Sequence, residues 1–198
     1  MTLKTLLLII TIFSLTDIFG QEKIWTKQAK LSEVILFEKS INEKPKFLDQ
    51  NISLSKDYYP LFEKYQVTNP LIIQRDPVGY LPVYAQYFFT PEDSILRLVS
   101  YDWEKDEFGN FFDKQKIWVK ESKKFDNYNS EYERVKNILV NQLGTPTSTD
   151  SKAKTENSDR GKYFTRETIW ETEDMHAELS MTFESMTYRV RLTLYWKK

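Results

Sequence analysis

The chain has no cysteine. Disulfides are therefore excluded, as are a thiolate nucleophile and lipid anchoring through a cysteine at an export cut, and stability has to come from packing. Histidine is nearly as scarce, His176 being the only one among 198 residues. With one His and no Cys, zinc, copper and haem sites of the usual kinds lack their ligands, and no cofactor is expected. Glycine numbers only five, and no Gly-x-Ser-x-Gly motif or phosphate-cradling glycine loop occurs. Neither sign of charge prevails, with 28 basic against 29 acidic residues. Nucleic acid, which favours a clear basic excess, is not an expected partner.

Long apolar runs are also missing, except at the start. Lys4 precedes Leu6–Leu15, about ten mainly apolar residues, and a more polar stretch then leads to the small residue Gly20. This is the three-part layout of a secretory signal peptide over residues 1–20, with the mature chain beginning at Gln21. The run is roughly half of the ~20 residues a helix needs to cross a bilayer, so no membrane span is expected after cleavage. The expected location is the periplasm or the exterior of a bacterial cell. Residues 21–198 are long enough for one domain without disulfides.

Aromatic residues are plentiful: five Trp, twelve Tyr and thirteen Phe. Residues 30–39 fit a short helix or a strand equally well. Tyr58, Leu61, Phe62 and Tyr65 fall at helical spacing, with Pro60 tolerable in a first turn. At Val83–Phe89 and Ser94–Trp103 the composition becomes β-rich, and Thr90-Pro91-Glu92-Asp93 between them makes a hairpin. In its second strand Ile95, Arg97, Val99, Tyr101 and Trp103 share one face, and Leu96, Leu98, Ser100 and Asp102 the other. Lys116–Lys120 reads as a further strand. Ser130 and Glu133 form a capping box ahead of an apolar stripe through Tyr132, Val135, Ile138, Leu139 and Leu143, and Gly144 and Pro146 end that helix. Residues 147–162 carry no large apolar side chain and read as a polar surface loop. Three strands follow, at 163–171, 177–184 and 187–196, the last two with one apolar and one polar face. The expected fold class is α+β: an antiparallel sheet in two meanders with one or two helices packed on one face.

The two halves, 55–103 and 130–196, follow the same plan of helix, proline-marked loop and meander ending in Trp. Arg97-Leu98-Val99-Ser100-Tyr101-Asp102-Trp103 is similar to Arg191-Leu192-Thr193-Leu194-Tyr195-Trp196, which suggests a duplicated unit, although any two amphipathic strands ending in aromatics look alike. Leu143-Gly144-Thr145-Pro146 and the strands after it resemble, in outline, the β-lactamase-inhibitor-like fold and the small outer-membrane assembly subunits that share it. The resemblance covers about a third of the chain, and it implies a protein that docks on a target enzyme.

Candidate chemistry is thin. His176 falls in a turn-like stretch and reads as a solvated loop residue. Asp102, Glu104, Asp106 and Glu107 superficially suggest a calcium loop, but counting from Asp102 puts Glu107 where the EF-hand needs glycine, so a solvated hairpin tip is expected. Tyr87 and Phe89 make their strand apolar on both sides, which means either a central strand covered on both faces or one offering aromatics to a partner. Arg189, Arg191 and Tyr195 share the polar face of the last strand, where the arginines either pair with Glu178 and Glu184 across the hairpin or present a binding patch. With Trp118, these residues form the candidate partner-binding set. No catalytic or metal-binding residue is singled out. The expected function is that of a non-enzymatic exported binding or cell-envelope accessory protein, its partner a protein or envelope component. The alternatives are an inhibitor or immunity-type protein docking on an enzyme, and a carboxylate-based hydrolase.

Overall fold

The computed structural model describes residues 22–159 and 161–198; the export segment expected at 1–20 lies outside the described residues. The chain runs α1 (Leu31–Ile41), β1 (Lys46–Leu48), β2 (Leu71–Arg75), β3 (Val83–Phe89), β4 (Leu96–Trp103), α2 (Phe111–Glu121), α3 (Phe125–Leu143), β5 (Ser148–Thr149), β6 (Lys154–Ser158), β7 (Gly161–Glu171), β8 (Met175–Glu184) and β9 (Thr187–Trp196). All nine strands of the described residues belong to one antiparallel sheet in the order β1-β2-β3-β4-β9-β8-β7-β5, with β6 also paired to β7. The fold class is therefore α+β. The last strand of each half meets at the centre, β4 against β9, with Leu98 opposite Tyr195 and Asp102 opposite Arg191.

All three helices pack on one face of the sheet. Val34 of α1 and Tyr128, Tyr132, Val135 and Leu139 of α3 bury against Val99, Tyr101, Leu179, Leu192 and Leu194. Strict alternation in β8 and β9 supplies that apolar face, every second residue being buried. β3 is buried along its whole length, so it is a central strand covered on both sides. Its second face meets a smaller cluster, in which Phe88, Leu98 and Tyr59 pack with Ile52, Leu54, Leu61, Phe62 and Val67 of the long β1–β2 connection.

Several sequence expectations are corrected here. Residues 116–120 are helical, part of α2. Asn110 caps that helix by accepting a hydrogen bond from the Asp113 amide at 3.1 Å. Trp118 then packs on Phe183 and Tyr188, with ring centroids 5.0 and 5.4 Å away. Partial burial of a large aromatic, a fraction of the ~1.5–3 kcal/mol of full burial, together with a cap worth ~1 kcal/mol, exceeds the ~1 kcal/mol span of β-propensity that favours a strand. Helix α3 starts at Phe125, five residues before Ser130. Burial of Tyr128 and packing of Phe125 against Phe164 outweigh a cap worth ~1 kcal/mol. Its end is as expected: Gly144 adopts φ +82° and its carbonyl accepts from Trp170 Nε1 at 2.9 Å.

The segment around Tyr58–Tyr65 is a chain of turns and not a regular helix. The polar stretch 147–162 contains β5 and β6, whose exposure on both faces explains their composition. In the β3–β4 hairpin the register shifts between Phe88 and Phe89. This bulge turns Leu96 into the main core with Val99, where strict alternation places the two on opposite faces.

Candidate functional site

The second face of the sheet is covered unevenly. The β1–β2 connection lies over β3 and β4 and stops at Tyr58; beyond it the polar side of β8 and β9 lies open. The boundary is a groove of about 430 Å³ lined by Asp57, Tyr58 and Pro60 from the cover, His176, Glu178, Ser180 and Thr182 from β8, and Arg189, Arg191, Thr193 and Tyr195 from β9. The alternation that buries Leu179 and Leu192 on one side presents these residues on the other.

The floor of this region is a buried charge network. Asp102 is fully buried in β4, directly opposite Arg191, whose Nε hydrogen-bonds it. Gln86 Nε2 donates to the same carboxylate at 2.8 Å and Ser100 Oγ at 3.3 Å. Tyr58 donates to Ser100 at 2.7 Å and its ring lies 5.4 Å from the Arg191 guanidinium, which ties the cover to the sheet. Arg191 also reaches Glu107 at 3.3 Å, and Arg189 lies 3.6 Å from Glu107 and 3.8 Å from Glu104. Lys114 of α2 donates to Glu104 at 2.9 Å.

Within this network Glu104 and Glu107 form an acid pair. Each has a buried Oε2 with no donor within reach among the described residues, and their side chains lie close enough to hydrogen-bond to each other. Two carboxylate oxygens can hydrogen-bond only if one carries a proton. Burial first, then Glu104, pushes the Glu107 carboxyl up to about 7, against the opposing pull of Arg191 and Arg189. Burial likewise raises the Asp102 carboxyl, partly offset by Arg191. The two unpaired oxygens are shielded from solvent, so the pair fixes the arginines of β9 and addresses no substrate directly.

The acidic stretch at 102–107 is therefore not a solvated tip: Asp102 and Glu104 are buried and Glu107 is 10% exposed. Nor do Arg189 and Arg191 pair with Glu178 and Glu184. The β8–β9 register sets Thr182 and Ser180 opposite them, and their partners come from β4 and the loop after it. His176 is a strand residue of β8, stacked on Tyr195 with centroids 4.9 Å apart. It hydrogen-bonds Glu171 and lies 3.9 Å from Glu178. These carboxylates, Glu178 foremost, raise its pKa above the usual 6.5 despite partial burial.

The structure brings Arg189, Arg191 and Tyr195 together in the groove and places the other three candidates elsewhere. Tyr87 lies in the core, where its hydroxyl meets Glu38, Arg75 at 3.0 Å and Tyr101 at 2.9 Å. Phe89 is buried in the same core, and Trp118 is partly buried over β8 and β9. Sequence reasoning missed Asp57, Tyr58, Ser180, Thr182 and Thr193 as groove residues. For the three on β8 and β9, the alternation that flagged Arg189 and Arg191 was signal enough; for the two on the cover there was none. Among the described residues no cluster of His, Cys, Asp and Glu could hold a metal ion, and no helix is long and apolar enough to cross a membrane. The chain matches no protein-family model, no curated protein and no solved structure.

Proposed function

We propose that this is an exported, non-enzymatic binding protein that takes hold of a protein or envelope component along the open polar face of β8 and β9. The observation that carries this reading is the groove at the edge of the cover. It is open, and it offers hydroxyls from Ser180 and Thr182 beside an aromatic platform of His176 on Tyr195. Its arginines are held by Asp102, Glu104 and Glu107. A surface whose side chains are fixed before contact loses little rotamer freedom on binding, which favours recognition. A stretch of partner chain lying across two strands would meet hydroxyls and guanidinium edges at the two-residue period of the sheet.

Export rests on the sequence of the segment at 1–20. The carboxylate of Glu22 accepts from Trp103 Nε1 at 2.9 Å and pairs with Arg134 at 2.6 Å. Cleavage after Gly20 leaves this anchor intact.

The test is affinity capture from the envelope fraction with the wild-type chain and with Ser180→Trp, which fills the groove beside Arg191, its neighbour across the β8–β9 pair. The expected result is a partner retained by the wild type and lost by the variant at equal folded content. A partner retained equally by both would refute the reading.

A further inference from the structure

Helix α2 presents its outer face to solvent in an arrangement that nothing among the described residues uses. Phe111 is 57% exposed, Phe112 70% and Val119 73%. Gln115, Lys116 and Lys120 are exposed with them, as is Lys123 in the turn that follows. At 3.6 residues per turn, Phe111, Gln115, Val119 and Phe112 fall side by side, and Lys116, Lys120 and Lys123 flank them along one edge. The inner face is fully committed: Trp118 packs on Phe183 and Tyr188, Lys114 pairs with Glu104, and Tyr188 donates to the Lys114 carbonyl at 2.9 Å. Of the two acidic residues in the helix, Glu121 is buried and bound to Tyr80 and Lys124. Asp113 is half-exposed beside Lys116 at 3.4 Å.

We propose that this face is a membrane-surface contact, on which α2 lies in the plane of an anionic bilayer. Its phenylalanines and Val119 would enter the headgroup boundary, with its lysines on the phosphates. The chemistry is that of an interfacial helix, an apolar strip bordered by cations. Charge decides for an anionic surface as the occupant: three exposed lysines border the apolar strip, and beside them the helix offers one half-exposed acid, Asp113. The face is a ridge about 16 Å long for an 11-residue helix. A bilayer requires no complementary shape. Because α2 packs on the helical side of the sheet, a protein attached this way turns the groove of β8 and β9 away from the membrane.

The test uses the chain from Gln21 onward, which contains the whole described fold and lacks an apolar segment that would itself bind lipid. Partition is measured by co-sedimentation with vesicles of phosphatidylglycerol and phosphatidylcholine in equal parts, and with phosphatidylcholine alone. The mixed vesicles should bind the protein, and salt should weaken that binding as the Debye length shortens. Replacing Lys116, Lys120 and Lys123 together by Gln should lower partition roughly a hundredfold, at about one kcal/mol per lysine. Phe111→Ser with Phe112→Ser should lower it roughly tenfold or more. All five side chains are exposed, so folding should be unchanged, which circular dichroism checks. Failure to bind the mixed vesicles overturns the proposal and returns the face to an acidic protein partner. Binding that survives both variants, or that is equal on phosphatidylcholine, overturns it too.

Discussion

Replacing Glu107 by Gln should make the protein more stable at alkaline pH and leave it nearly unchanged at acid pH. The carboxyl of Glu107 has an ordinary value of 4.5 and is raised to about 7 in the fold by burial and by Glu104. Between those values the folded chain holds a proton that the unfolded chain has released. Stability therefore falls as pH rises through this window and has lost its full share above it. At 1.36 kcal/mol per unit, the shift from 4.5 to about 7 corresponds to about 3 kcal/mol. Glutamine keeps the shape, can donate to the unpaired Glu104 oxygen and has nothing to ionise. Urea unfolding of both proteins from about pH 4.5 to about pH 8 measures the effect. The difference between them should open from near zero to about 3 kcal/mol. Because His176 is present in both, its own titration cancels in that difference. Two stability curves that run parallel across the window, or a variant less stable at alkaline pH, would refute the shared-proton account.

Further expectations concern other buried charges and the N-terminal region. Glu38→Ala should destabilise by about 3–5 kcal/mol in urea unfolding, because it strands the buried Arg75 guanidinium, which Glu38 and Tyr87 now satisfy. The His176 imidazole, followed by NMR, should titrate above 6.5, and Glu178→Gln should lower that value. Stability linked to it is therefore present at acid pH and lost as pH rises through the folded value. Mass spectrometry of the protein from the envelope fraction should find a chain beginning at Gln21. Retention of residues 1–20 there would contradict export by cleavage.

What the sequence disclosed follows the distinction between local and distant causes. Period-two alternation at 177–184 and 187–196 and the glycine-proline stop at 144–146 are local patterns, and both correspond to observed elements. Where the signal was local but mixed, the tertiary contact decided. Ile117-Trp118-Val119 has strand composition, yet Asn110 and the bed of Phe183 and Tyr188 make it helical; the Asn110 and Asp113 spacing was the clue available. The pairing of β4 with β9 had no sequence signature. Without it, Asp102 could not be set opposite Arg191, and the run at 102–107 looked like a wet loop. The candidate site was legible to the extent that it follows from alternation, which selects Arg189, Arg191 and Tyr195. The cover that ends at Tyr58 and shapes the groove depends on packing nearly 140 residues away in sequence, as the contact from Thr193 to the Tyr58 hydroxyl illustrates (3.4 Å, separation 135).

The most direct measurement is the affinity of the captured partner for the wild-type chain and for Ser180→Trp, both purified and shown to unfold at the same denaturant midpoint. If recognition takes place along β8 and β9, a side chain of that bulk in the groove should weaken binding by roughly a hundredfold, the range of a residue central to an interface. Equal affinities for the two proteins would place the contact elsewhere and contradict the account.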